Sequence, residues 1–141
     1  ADEALPVDWV MHLKGEVLEG RGKACRDTFS ARKPFSFFRN AAPLEGGRVR
    51  TELEGVVTDL YCAPLGGEAW LAEGFDNPST GTLNQVIVRR RGKEVCFLSV
   101  VESHQGEPVI DHVEFMQERD GSWRICVTER DGRKRIFDMS V

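Results

Sequence analysis

The sequence predicts an all-β protein, built as an antiparallel β-sandwich. Short apolar stretches are separated by turn residues at intervals of roughly 8–12 residues, which is typical of sandwiches and barrels. No stretch shows the 3.6-residue apolar period of a long amphipathic helix. The 141 residues, 40% of them hydrophobic, suffice for one domain with its own core. We therefore expect residues 1–141 to form a single β-sandwich domain.

The most apolar region, Asn84–Ser103, predicts the centre of the sheet. It holds two apolar runs on either side of the basic segment Arg89–Lys93. Both runs are apolar at successive positions, which suits strands buried on both faces. A glycine within a short polar connection is typical of a hairpin turn. We predict a central hairpin in which Asn84–Arg91 pairs with Lys93–Ser103.

The other strands are predicted where apolar residues alternate between turn residues. In chain order they are Val7–Leu13 with Glu16–Leu18 as its continuation, Thr51–Cys62, Glu68–Phe75, Val109–Glu118, Ser122–Glu129 and Arg133–Met139. Residues 19–50 are less regular and predict a loop with one or two short strands, with the aromatic group Phe35–Phe38 as a local core. Asp76–Leu83 predicts a loop. The pairs Asp120-Gly121 and Asp131-Gly132 predict type I′ turns with positive φ at each glycine.

Composition excludes several classes of function. The formal net charge of −4 argues against general nucleic-acid binding, and no apolar run has the ~20 residues that cross a bilayer. The four cysteines, Cys25, Cys62, Cys96 and Cys126, form no CxxC pair or zinc spacing. Cys96 and Cys126 lie in apolar patterns and are interpreted as small buried hydrophobes. In an oxidising compartment, three disulfide pairings remain open.

The histidines do not indicate a catalytic or metal site. His104 is expected to be solvated in a polar loop. On a strand, Asp111 and His112 should face opposite sides and form no pair, whereas His112 and Glu114 share a face. No GxSxG, Walker, GxGxxG or HExxH motif is present. The sequence predicts no metal ligand, no catalytic residue and no cofactor.

Four residues are candidates for ligand binding. Arg89 and Arg91 share one strand face, and guanidinium groups bind carboxylate or sulfate at two points. Trp70 has the flat surface that stacks on a sugar ring, and His12 lies beside Trp9. The alternatives are a solvated basic tip that protects a sheet edge, a core position for Trp70 and a hydrogen-bonded structural role for His12.

Two segments resemble a known family. Val7–Glu16, VDWVMHLKGE, resembles the D-W-x-x-H-x-x-G segment in the C-terminal half of heparinase II/III-like polysaccharide lyases. Asn84–Ser103 resembles a later segment of those proteins, in which an apolar strand, a basic turn and a strand ending in V-x-E follow one another. The order and the separation of the two segments also correspond.

The resemblance implies a C-terminal β-sandwich that follows an α/α toroid. Such lyases cleave uronate-containing polysaccharides by β-elimination: a base removes the C5 proton, and polar or positive groups stabilise the enolate. Their usual tyrosine and histidine precede the segments matched here, and Tyr61 lies in no matching motif. We therefore expect part of a lyase that is inactive alone, and periplasmic or secreted.

The resemblance also implies partners. We expect a uronate-containing polysaccharide as ligand, and a missing N-terminal portion of the same protein or an oligomer partner; no nucleic acid or membrane is expected. Trp9, Met11 and Leu13 lie on one face of the first predicted strand and Val10 on the other, so a partner should cover Val7–Leu13. The alternatives are a non-catalytic carbohydrate-binding module and a structural interaction domain.

Overall fold

The computed structural model describes residues 5–23, 38–63, 68–75 and 82–140. These residues form eleven β-strands: β1 (Pro6–Leu13), β2 (Glu16–Glu19), β3 (Arg39–Pro43), β4 (Arg48–Leu53), β5 (Val56–Cys62), β6 (Glu68–Phe75), β7 (Thr82–Arg91), β8 (Ser99–His104), β9 (Ile110–Gln117), β10 (Trp123–Glu129) and β11 (Lys134–Met139). Within these ranges no helix has the length and apolar character needed to cross a membrane.

The strands form three antiparallel sheets. Sheet A has the order β1-β7-β6-β3, sheet B the order β2-β4-β5-β8, and sheet C the order β11-β10-β9. Leu71 and Val86 of sheet A meet Val49 and Leu60 of sheet B in a closed core. Sheet C lies against β8, where Glu102 accepts hydrogen bonds from the first residues of the β9 segment. The predicted all-β antiparallel sandwich is confirmed.

The predicted central hairpin is wrong. β7 pairs with β1 and β6, whereas β8 pairs with β5 in the other sheet. Residues 92–98 are not a strand and carry the chain from sheet A to sheet B. Phe97 in this crossing packs against the sandwich core, and Arg90 lies over its ring at 5.3 Å. Both apolar runs thus contribute to one core, and apolar pattern alone does not reveal which strand pairs with which.

The predicted strand Thr51–Cys62 is two strands. β4 and β5 form a hairpin whose two-residue turn is Glu54-Gly55, with φ values of 52° and 81°. Two successive positive φ values define a type I′ turn, and glutamate is uncommon there. Glu52 Oε1 accepts a hydrogen bond of 2.7 Å from the Gly55 N–H and supports the turn.

The two Asp-Gly turns keep the predicted glycine conformation but not the predicted turn type. Gly121 and Gly132 have φ values of 86° and 88°, which confirms that part of the prediction. Asp120 and Asp131 do not have positive φ. Each glycine N–H donates to the carbonyl oxygen three residues earlier, at Glu118 or Glu129. The N–H of that same residue donates to the carbonyl oxygen of the residue after the glycine, which closes a loop of three residues. Both are type I turns followed by a left-handed glycine.

The bounds of the remaining predicted strands agree with the structure to within a residue or two at each end. The expectation that Glu16–Leu18 continues the first strand is wrong: the chain turns at Gly15, whose φ is 103°, and β2 pairs with β4 in sheet B whereas β1 lies in sheet A. β3 lies in the segment that was predicted to be mostly loop. The predictions for Cys25, for Phe35–Phe37 and for most of Asp76–Leu83 lie outside the described residues. Phe38 packs beside Ile87 on the outer face of sheet A, in agreement with a local aromatic core.

Candidate functional site

The four predicted ligand-binding residues lie on the outer face of sheet A. The register places Arg89 opposite Asp8, and Trp70 beside Ile87. Arg89 Nε and Nη2 donate to the two Asp8 carboxylate oxygens at 2.7 and 2.8 Å, and its guanidinium lies 5.7 Å from the Trp70 ring centre. The hydrogen bond to Asp8 raises the pKa of Arg89, against the lowering effect of burial.

Arg91 and His12 do not join this pair. Both are exposed on the same face, but His12 lies opposite Gln85 and Arg91 opposite Pro6. Six strand residues separate these two register positions, a distance of roughly 20 Å. The structure therefore unites Arg89 with Trp70 and leaves the other two candidates at opposite ends of the sheet. A ligand-binding role for the four residues stays a prediction.

The expected partner strand Val7–Leu13 is paired within the chain. β1 runs antiparallel to β7 along all eight residues and ends sheet A. Leu13 is buried, whereas Val7 and Val10 are partly exposed. Among the described strands none pairs with the outer edge of β1, and a partner at this edge remains a prediction.

A charge cluster that the sequence did not indicate lies on the outer face of sheet B. The Asp59 side chain on β5 is 0% exposed. Arg50 Nε donates to Asp59 Oδ1 at 2.7 Å, and Arg48 Nη2 donates to the same oxygen at 3.0 Å. Arg50 Nη2 and His104 Nε2 lie 3.1 Å from Asp59 Oδ2. Burial alone raises the pKa of Asp59, but the bonds from Arg50, His104 and Arg48 outweigh it and hold the pKa below its usual value.

The expectation of a solvated His104 is wrong. His104 is on β8, its side chain is largely buried, and its Nδ1 lies 2.8 Å from the Gly106 carbonyl oxygen. The inference that Asp111 and His112 form no pair is also wrong. These exposed side chains meet at 2.9 Å, because a side chain at a sheet edge has room to bend along the strand.

Asp59, Glu102 and His104 have the residue types and proximity of a metal site. One ligand atom from each lies within 4.8 Å of the others. However, the four Asp59 contacts come from nitrogen groups, and Glu102 accepts the backbone N–H groups of Val109 and Ile110. A cation would have to displace both arginines from Asp59, so the residues do not fit a metal and form a structural charge cluster instead.

Tyr61 adjoins this cluster with a buried hydroxyl. The residue is almost fully buried, and its Oη has no hydrogen-bond partner among the described residues. The Arg48 guanidinium lies 5.3 Å from the ring centre. Burial raises the pKa of Tyr61, and Arg48 opposes this effect only in part.

A groove separates β8 from sheet C. Its volume is about 490 Å³, within the usual range for small-ligand sites. Its apolar lining includes Val100, Val109, Ile110, Phe137 and Met139, above a buried floor from β10.

The charged groups in the groove are already engaged. Glu102 accepts the two backbone N–H groups noted above, and Arg135 Nε lies 2.6 Å from Glu129 Oε1. The groove therefore offers mainly apolar contact. The alternation in β10 and β11 was the only signal of this surface in the sequence, and it does not reveal that one face is partly uncovered.

Comparisons with known proteins provide no family assignment. A scan against protein-family models finds no match. Searches of curated proteins and of solved structures find no match either.

Proposed function

We propose that the chain is a non-catalytic binding module that holds an extended apolar polypeptide segment in the groove between β8 and sheet C. The observation that carries this proposal is an open, apolar groove whose charged groups are already paired. This corresponds to the interaction-domain alternative among the sequence-based expectations.

The character of the groove favours an apolar ligand over a sugar. Sugars present hydroxyl groups, which need polar partners in the site, and burying polar groups without such partners is costly. The described groove contains few polar groups beyond Ser99, Glu102, Glu129 and Arg135. An apolar segment gains from burial at about 25 cal/mol per Å² of apolar surface.

The neighbouring strand edges favour a polypeptide over another apolar molecule. β8 is the last strand of sheet B, and no described strand pairs with its other edge. Ser99, Val100 and Glu102 of β8 line the groove. An added strand bonds to such an edge through its main chain and places alternate side chains in pockets.

A peptide-binding measurement tests the proposal. The probe is a labelled peptide of alternating valine and threonine with terminal lysines, and its control has serine in place of valine. We expect fluorescence anisotropy to show binding of the first peptide only. Val100→Trp, which fills the groove, should weaken binding roughly tenfold or more, as a lost central contact does. Met116→Trp, on the opposite face of sheet C, should leave it unchanged.

Two results would overturn this function. One is the absence of binding by the apolar peptide. The other is calorimetric binding of a uronate oligosaccharide that Arg91→Ala abolishes and Val100→Trp does not change. The second result would favour the carbohydrate-binding module, with Arg91 and His12 exposed on sheet A as its contacts.

The resemblance to heparinase II/III-like lyases supports a second proposal. The chain would be the C-terminal part of a periplasmic or secreted lyase, acting on uronate-containing polysaccharide together with another polypeptide. The exposed Arg91 and His12 are reachable by an anionic sugar. β-Elimination yields a conjugated uronate that absorbs in the near ultraviolet. We expect no such absorbance from the chain alone, and steady growth of it would contradict an inactive part.

A further inference from the structure

β11 is exposed along its whole length and has two large apolar side chains at its centre, between charged residues. All six residues of β11 are exposed, and Ile136 and Phe137 retain 58% and 49% of their surface. Within the described ranges β11 pairs only with β10. Natural proteins usually protect such an edge with charges, proline or a bulge, because it is a template for another strand. β11 carries three charged residues, Lys134, Arg135 and Asp138. They oppose pairing with a second strand only where that strand places like charges opposite them.

The hydrogen-bond pattern fixes which groups face outward. The Glu129 N–H donates to the Arg133 carbonyl at 2.8 Å across the β10–β11 turn. Bonded and non-bonded pairs alternate along an antiparallel ladder. Alternate residues from Arg133 onward therefore bond to β10, and the N–H and C=O groups of Lys134, Ile136 and Asp138 point away from the sheet.

A second copy of β11 can bond to these outward groups in antiparallel orientation, and one register also matches the charges. Antiparallel pairing about a two-fold axis at Ile136 places the Ile136 residues of the two copies opposite each other. Lys134 of each copy then lies opposite Asp138 of the other, so this pair forms twice. All outward-pointing groups then meet outward-pointing groups, and both charge pairs are of opposite sign.

The neighbouring registers are less favourable. An axis at Arg135 places two arginines directly opposite each other, which is destabilising. An axis at Phe137 places Ile136 opposite Asp138 and leaves Lys134 without an acidic partner. Among these three registers, the charges of β11 favour self-pairing at Ile136.

We propose that two copies of this chain associate through antiparallel pairing of β11, which joins their two three-stranded sheets into one continuous sheet. Opposed Ile136 side chains form the centre of the contact, and Lys134–Asp138 ion pairs flank it. Arg124 Nε contacts Asp138 Oδ1 within one chain, so Oδ2 is the oxygen that Lys134 meets. On the other face, Phe137 of each copy lies opposite Arg135 of its partner. This association goes beyond the proposed peptide binding and does not depend on it.

Charge exchange at the two flanking positions tests the proposal. Sedimentation velocity across a wide range of micromolar concentrations should show the full chain as a dimer. Lys134→Asp and Asp138→Lys should each weaken association roughly tenfold or more, because each places like charges opposite each other twice. The double variant Lys134→Asp/Asp138→Lys restores opposite charges and should restore the dimer.

Controls separate association from folding and from groove binding. Thermal unfolding of each variant shows whether the monomer remains folded. Ile136→Pro removes an N–H that points outward and no bond to β10, so it should abolish the dimer in a folded chain. Val100→Trp should leave the dimer intact while it reduces peptide binding. A monomeric wild-type chain, or a charge-exchanged double variant that stays monomeric, would overturn the proposal.

Discussion

The sandwich of sheets A and B and the smaller sheet C have the same alternation of side chains along their strands, but they differ in how far these side chains are buried. In the sandwich, two apolar faces meet, and Leu60 and Val86 are fully buried. In sheet C, β10 is largely buried, but β11 is exposed along its whole length. The difference shows that alternation predicts which side chains share a face, whereas the cover over that face is set by other elements. The stability of the chain should reside in the sandwich and its binding surfaces in sheet C.

The largest expected effect is on the free energy of unfolding, and it should differ between a variant in the sandwich core and a variant in sheet C. Leu60→Ala leaves a cavity in the closed core and should lower the free energy of unfolding by about 2–5 kcal/mol. Phe137→Ala removes a half-exposed side chain and should cost less than about 1 kcal/mol. Urea denaturation of both variants measures the difference. Equal losses would show that sheet C is as tightly covered as the sandwich.

A second contrast concerns the charge cluster on sheet B. Asp59→Asn removes the charge that holds Arg48, Arg50 and His104 together. We expect a loss of about 2–3 kcal/mol in the free energy of unfolding, below the value for a deeply buried pair because both arginines are partly exposed. Glu118→Gln beside sheet C is the matched control, since Glu118 and its partner Arg124 are both exposed, and it should change stability little. Similar losses for both variants would contradict a special role for the buried carboxylate.

The pH dependence of stability should identify the same carboxyl group. The pKa of Asp59 is lower in the folded chain than in the unfolded chain, so its stabilising contribution is present above the unfolded pKa of about 3.9. As pH falls through the folded pKa, protonation removes that contribution. Acid denaturation should therefore be steeper below about pH 4 for the wild type than for Asp59→Asn. Identical slopes would assign the acid sensitivity to other carboxyl groups.

The sequence predicted the fold class and most strands because alternation and turn residues are local properties. It did not predict that β7 and β8 lie in different sheets, since an apolar run satisfies its pattern against any neighbouring strand. It also joined β4 to β5, because Glu54 is an unusual residue for a type I′ turn.

The candidate sites are formed by side chains from different strands that meet in the folded sheets. Most residues that the sequence analysis missed belong to such contacts. Arg89 and Trp70 were found from their chemistry, but the pairing of Arg89 with Asp8 required the β1–β7 register. The Asp59 cluster joins residues of three strands, and its only sequence signal was the spacing of Arg48 and Arg50 on one strand face. The groove beside sheet C arises from how two sheets meet, which no single strand encodes.

The smallest expected effect concerns the Tyr61 hydroxyl at the border of the charge cluster. Its Oη is buried and has no partner among the described residues, and leaving such a group unbonded costs about 1–3 kcal/mol relative to a bonded one. Tyr61→Phe removes the hydroxyl and keeps the ring beneath Arg48. We therefore expect unchanged or slightly higher stability, by at most about 1 kcal/mol, in urea denaturation. Tyr61→Leu, which removes the aromatic ring as well, should be clearly destabilising because the packing against Arg48 is lost. A marked loss in Tyr61→Phe would mean that the hydroxyl has a bonding partner, such as an ordered water molecule, and that the charge cluster extends to Tyr61.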